Sequence, residues 1–145
     1  MREVLLRAGR LYLREAPKSG FHRRQQSDMK SITTFSSALR QVVDGVVATE
    51  HRVVAGSKVF YLDIGIYDPA GAPLAVIEVK RDTSPLQDFA FVLDKGIAQV
   101  EQYVSLTNAI FGVFVFLLSL PMEAVEPQVE IRKAPGGLDV LVLHL

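Results

Sequence analysis

Three side chains carry the chemistry this sequence offers: Asp63, Glu78 and Lys80. They lie in Tyr61–Arg81 (YLDIGIYDPAGAPLAVIEVKR), where two alternating runs flank the turn-forming segment Asp68-Pro69-Ala70-Gly71-Ala72. With the turn centred between Ala70 and Gly71, Asp63 stands across from Glu78. Strand alternation puts Lys80 on the side of Glu78 and sends Leu62, Ile64, Ile66, Ile77 and Val79 to the other. One face of the hairpin is then expected to be wholly apolar, and the other to present two carboxylates and an ammonium. A one-residue slip would destroy this sorting, so the pattern supports the register.

Carboxylates directly across a ladder repel each other. At about 5 Å and an effective dielectric near 20 the repulsion is about 3 kcal/mol, which stability alone would not retain. A positive group is expected between them. Lys80 supplies part of that charge, and a divalent cation supplies the rest. Oxygen donors without nearby His or Cys suit Mg²⁺ or Mn²⁺. An Asp, a Glu and a Lys on one strand face are ordinarily a solvated surface. Their placement in register, on neighbouring strands and ahead of a helix, favours a site.

The surrounding elements must hold these residues. Val4, Leu5, Ala8, Leu11 and Tyr12 form an apolar helical stripe within residues 3–14, with Arg2, Arg7, Arg10 and Arg14 on the other faces. Residues 21–32 read as a linker. A second helix is expected from Thr33 or Thr34, with Phe35, Leu39, Val42, Val43, Val46 and Val47 inward. Strands follow at Thr49–Val54, Lys58–Asp68 and Pro73–Lys80, and residues 81–93 are ambiguous. Asp94 is expected to cap a helix running to Thr107, with Asn108 as its stop. Ala109–Leu118 reads as a buried strand, with Phe111, Phe114 and Phe116 in the core. Gln128–Lys133 and Leu138–Leu145 read as a closing hairpin. The expectation is an α/β protein with a mixed central sheet flanked by helices. It comprises a basic helix and linker at 1–32 and a domain at 33–145, single overall.

Composition narrows the function. The chain has 145 residues, 49% of them apolar, which is ample for one core and too apolar for disorder. It has no Cys, which removes disulfides, thiolate zinc, iron–sulfur clusters and Cys nucleophiles, and fits a reducing cytoplasm, the expected location. The longest apolar run, Ala109–Leu120, is too short for a membrane span. His22, His51 and His144 have no metal-ligand spacing, and Gly56-Ser57-Lys58 lacks the glycines of a phosphate loop. The 16 basic and 16 acidic residues cancel, but residues 1–40 hold nine basic against three acidic, so an excess of six positive charges faces an equal negative excess beyond.

These residues resemble the PD-(D/E)xK phosphodiesterases, the restriction-endonuclease-like superfamily. Asp63 matches the aspartate of the motif, and Glu78-Val79-Lys80 matches ExK. The expected order over residues 33–118 is similar to the αβββαβ core of that superfamily. APLAVIEVKR looks most like the N-terminal nuclease domain of type I restriction motor subunits, and Gln99 with Tyr103 resembles the Q-x3-Y motif of RecB-type nucleases. Two departures stand out. Leu62 replaces the usual Pro, and the first core helix carries no Glu, which leaves Glu50 or Asp44 as a third carboxylate.

The resemblance implies Mg²⁺- or Mn²⁺-dependent hydrolysis of phosphodiester bonds, with DNA as substrate and RNA left open. Asp63, Glu78 and the Val79 carbonyl would hold the metal. Lys80 would orient or help deprotonate water, and Gln99 and Tyr103 would position the strand or Lys80. Arg23, Arg24 and Lys30 would contact phosphates. Arg81 would either extend the site toward phosphate or merely flank a strand end. The other reading is a non-catalytic nucleic-acid-binding or assembly module, dimeric through a sheet edge or through its apolar C-terminal strand.

Overall fold

The structure, a computed structural model, describes residues 1–15, 28–81, 89–117 and 126–145. Among these, three helices flank a six-stranded mixed sheet. The helices are α1 (Arg2–Glu15), α2 (Asp28–Val42) and α3 (Phe89–Thr107). The strands are β1 (Val46–Ala55), β2 (Lys58–Tyr67), β3 (Pro73–Arg81), β4 (Phe111–Leu117), β5 (Gln128–Lys133) and β6 (Asp139–His144). They lie in the order β1-β2-β3-β4-β6-β5. From α2 to β4 the chain runs helix, three strands, helix, strand. The α3 crossover makes β3 and β4 parallel, β4 and β6 are also parallel, and the remaining pairs are antiparallel.

The sheet is the middle layer between two cores. Leu5, Ala8, Tyr12, Phe35 and Leu39 of α1 and α2 pack on Ile64, Ile66, Ala75, Ile77, Val113 and Leu143. Ile97 and Val100 of α3 pack on Val76, Phe114, Phe116, Val140 and Val142 on the other face. Alternate residues of β3, β4 and β6 therefore serve opposite cores, which explains the continuous apolar runs. Phe114 and Phe116 are buried, as expected of core residues. Close approach of α3 requires Gly96, where a Cβ would run into the Phe114 ring.

Several boundaries differ from expectation. Helix α2 starts at Asp28, so Thr33 and Thr34 lie inside it and do not cap it. The Thr34 hydroxyl instead donates to the Lys30 carbonyl at 2.8 Å, and Ile32 extends the inward stripe of Phe35 and Leu39 by a turn. The helix stops at Val42, so Val46 and Val47 begin β1. Gly45 carries the chain from the helix into β1, with a φ of 147° and no room for a Cβ against the Tyr67 carbonyl. Helix α3 starts at Phe89, with Asp94 exposed in its interior. Phe89 seats edge-on against Phe116 at 5.7 Å and anchors the added turn. Asn108 does end α3, in the left-handed conformation at φ 58°.

Helix α1 packs into the core on one face of the sheet. Its Tyr12 ring meets Phe35 at 6.0 Å, and a Cβ on Gly9 would come within 2.9 Å of both Leu145 and Pro127. The apolar C-terminal strand is not a sheet edge. β6 lies between β4 and β5, and the edges are β1 and β5. Among the described residues no helix is long and apolar enough to cross a membrane.

Candidate active site

The expected β2–β3 register holds where the ladder is regular, with Ile64 opposite Ile77, Gly65 opposite Val76 and Ile66 opposite Ala75. A bulge at Ile66/Tyr67 absorbs the turn, in which the Asp68 carboxylate accepts from the Ala72 amide at 2.8 Å. The same register carries Asp63 to the level of Glu78, just past the last ladder pair.

Alternation fails at that point. Ile64 and Ile66 belong to the core beneath α1 and α2, but Leu62 belongs to the core beneath α3. The expected single apolar face of Leu62, Ile64 and Ile66 is therefore corrected: the strand changes faces at Asp63. β1 does the same one strand over. Val47 packs on the α2 side and Val53 on the α3 side, and Glu50 between them has a φ of 47°. Glu50 occupies the register position facing Asp63, between the pairs Thr49–Ile64 and His51–Leu62. The β1–β2 hairpin thus coils over toward α3, and Phe60 meets Tyr103 there at 6.2 Å.

This coil turns the Asp63 carboxylate toward β3. Its Oδ2 accepts from the Val79 amide at 2.9 Å, in the place of a strand carbonyl. Glu78 lies beside Phe114 in the parallel register, hence on the α3 face, and its side chain is only 4% exposed. Lys80 lies on the same face, with Nζ 3.1 Å from Glu78 Oε1, and is 47% exposed. Burial pushes the Glu78 carboxyl up from 4.5 to about 7, helped by the Asp63 charge and opposed by Lys80. Asp63, Glu78 and Lys80 thus form one connected group. It is a buried acid with one neighbour of each sign, and not the solvated surface alternation alone would give.

Gln99 and Tyr103 share a flank of α3, where Gln99 Nε2 donates to the Tyr103 hydroxyl at 2.8 Å. Both are half-buried. Phe60 brings the coiled β1–β2 hairpin against this flank of α3.

Other expected residues lie elsewhere. Lys30 is exposed on α2, which covers the sheet face opposite Glu78. Arg2, Arg7, Arg10 and Arg14 are exposed on α1 in that same layer, so the basic helix does not face the carboxylates. Arg23 and Arg24 lie outside the described residues. Arg81 ends β3, half-buried, one residue beyond Lys80. Asp44 falls two residues past the end of α2 and is exposed, and Glu50 sits in mid-strand rather than at the start of β1. Among the described residues, no group of three or more His, Cys, Asp or Glu is arranged to hold a metal. The oxygen donors available to a cation are the carboxylates of Asp63 and Glu78 and the carbonyl of Val79.

Sequence reasoning passes over Tyr67 and Gly65, and sets His51 aside because it has no metal-ligand spacing. Gly65 faces Val76 and so shares the α3 face. The Tyr67 ring folds back over it, with Cε2 3.1 Å from where a Cβ would stand. The His51 ring meets Tyr67 edge-on at 5.2 Å. The Gly-x-Tyr step two residues after Asp63 is the signal available in the sequence for the folded-back Tyr67 ring. Nothing in the period announces His51, because the face change at Glu50 brings it there.

No family model, no curated protein and no solved structure matches this chain.

Proposed function

We propose that this chain is a metal-dependent phosphodiesterase of the restriction-endonuclease-like kind. It would hydrolyse DNA with Mg²⁺ or Mn²⁺, in a restriction, defence or other DNA-processing role. One observation carries the reading: Glu78, buried and pushed to about 7, is pressed between Asp63 and Lys80 on neighbouring strands. The order α2-β1-β2-β3-α3-β4 supports it, since it is the order the resemblance implies.

The donor chemistry fits a hard divalent cation. Two carboxylates and a carbonyl offer only oxygen, and ionised Glu78 lacks sufficient positive charge from Lys80 alone. Asp63, Glu78 and the Val79 carbonyl would hold the ion, which would supply a water of lowered pKa and charge stabilisation at phosphorus. The protein supplies the rest. Val79 N–H fixes the Asp63 carboxylate. Lys80, half exposed, reaches from Glu78 toward solvent, where it can orient the attacking water and balance charge on the pentacovalent phosphorus. Gln99 and Tyr103 are already locked together, and would steer the strand along the flank of α3.

The test is plasmid cleavage with Mg²⁺ or Mn²⁺. Nicking or linearisation that EDTA abolishes, and that Lys80→Ala loses at unchanged circular dichroism, is the expected result. Cleavage undiminished in Asp63→Ala overturns the site. A non-catalytic nucleic-acid-binding module is the second reading, favoured by the lack of a third acid at the pair among the described residues. Oligonucleotide binding without Mn²⁺ binding in isothermal titration would select it.

A further inference from the structure

The face that bears Glu78 continues past Asp63 to the edge of the sheet, and its outer part is built from two aromatic rings with hydrogen-bonding ends. Tyr67 lies flat over Gly65, so its hydroxyl, 3.5 Å from the position of a Gly65 Cβ, points back along β2 toward Asp63. Gly65 is two residues from Asp63, about 6–7 Å along the strand. His51 sits across from Leu62, and the left-handed turn at Glu50 delivers it to this face. Its ring meets Tyr67 at 5.2 Å and 70°, which fixes both rotamers. Both residues are half-buried. Among the described residues the imidazole nitrogens and the Tyr67 hydroxyl have no hydrogen-bond partner. Two oriented donors are therefore left open on the sheet face that bears Glu78.

We propose that His51 and Tyr67 form a phosphate-contact subsite, which binds the phosphodiester adjoining the one that meets Asp63, Glu78 and Lys80. The inference rests on the nuclease reading and specifies which part of its substrate this face grips. A phosphate offers only acceptors, and these groups offer N–H and O–H donors. The spacing of Gly65 and Asp63 along β2 is about one nucleotide step of an extended backbone. The basic residues of α1 cannot do this work, because they lie in the opposite layer. His51 and Tyr67 are positioning residues: they hold the strand and take no part in bond breaking. Gly65 lets the Tyr67 ring lie close to the sheet, since a Cβ there would stand 3.1 Å from its Cε2.

Fluorescence anisotropy with a fluorescein-labelled DNA oligonucleotide, with Ca²⁺ replacing Mg²⁺ so that the oxygen site is filled, tests the proposal. His51→Ala and Tyr67→Phe should each weaken binding about ten- to a hundredfold, as expected for one lost hydrogen bond to a charged group. His51→Gln, which keeps a donor, should recover part of the loss. In cleavage assays both variants should raise KM and leave kcat near wild type. A neutral methylphosphonate at the adjoining phosphate should weaken wild-type binding and cost the His51→Ala/Tyr67→Phe double variant little further. Wild-type affinity in both variants, at unchanged circular dichroism, overturns the subsite and leaves the nuclease reading standing. A wild type that binds no oligonucleotide overturns both. An equal methylphosphonate penalty in wild type and in the His51→Ala/Tyr67→Phe double variant overturns the phosphate assignment.

Discussion

The carboxylate of Asp63 replaces a backbone carbonyl: it accepts the amide hydrogen of Val79 at 2.9 Å, across the gap where the β2–β3 ladder ends. Asp63 is therefore both a candidate ligand and the cross-strand tie that keeps Glu78 and Lys80 in register. Val79 is 8% exposed, so its amide has little access to water. Asp63→Ala should cost about 1–3 kcal/mol through the orphaned donor. Asp63→Asn keeps an acceptor and should cost much less. Urea unfolding of the two variants checks this, and equal losses would show that the hydrogen bond contributes nothing. Activity comparisons should accordingly use the Asn variant.

Glu78 should make the metal-free protein less stable as the pH rises. Its carboxyl titrates near 7 in the fold, against 4.5 as the ordinary value. Between these values the folded state holds a proton that the unfolded state has released, so stability falls across pH 4.5–7 and stays low above. The shift corresponds to at most about 3 kcal/mol. Glu78→Gln removes the titration, so it should match wild type near pH 4.5 and exceed it at pH 8. Parallel pH profiles of Tm for the two proteins would refute the assignment.

A divalent cation should reverse that loss. An ion that binds only the folded protein adds about 2.7 kcal/mol at a hundred times its dissociation constant. At pH 8 Mn²⁺ or Mg²⁺ should raise Tm in wild type. The rise should shrink at pH 5.5, where Glu78 is protonated, and in Glu78→Gln. Thermal shifts of the same size in Asp63→Asn and Glu78→Gln as in wild type would place the ion elsewhere.

The sequence displayed the acid pair more clearly than its surroundings. Asp63, Glu78 and Lys80 could be aligned because Ile64, Ile66, Ala75 and Ile77 alternate regularly, and that stretch keeps its register. Alternation could not foretell the face change at Glu50 and Asp63. A single residue at φ 47° reverses every later side chain of β1, and Glu is not a residue type that advertises this conformation. The consequences were hidden with it: Leu62 joins the α3 core, Phe60 reaches Tyr103 and His51 meets Tyr67. The exposed edge lies elsewhere than the C-terminal strand for another reason. LDVLVLHL is apolar because it is a central strand serving two cores, and β5 covers it. Charge asymmetry along the chain likewise says nothing about which layer a helix joins, and α1 joins the layer away from Glu78.

Gly96 sets the depth at which α3 rests on the sheet, because a Cβ there would overlap the Phe114 ring. Phe114 neighbours Glu78 in the parallel register, so lifting α3 would also open the flank that carries Gln99. Gly96→Ala should lose about 1–3 kcal/mol to overpacking, well beyond the gain alanine brings in helix propensity. Chemical denaturation measures this, and a stabilised variant would mean that α3 does not seat on Phe114.

The hydrogen bond from Gln99 to Tyr103 spans one helical turn at 2.8 Å, while the Tyr103 ring packs against Phe60. Tyr103→Phe separates these roles, since it keeps the ring and removes the hydroxyl. Stability should change by no more than about 1 kcal/mol, the usual net value of one hydrogen bond. If Gln99 acts by being held in place, Tyr103→Phe should lower cleavage several-fold, and Gln99→Ala should add little further loss when combined with it. A double-mutant cycle on kcat/KM measures the coupling. Fully additive losses would mean that the two side chains work independently, and that the 2.8 Å contact does not set the geometry of the site.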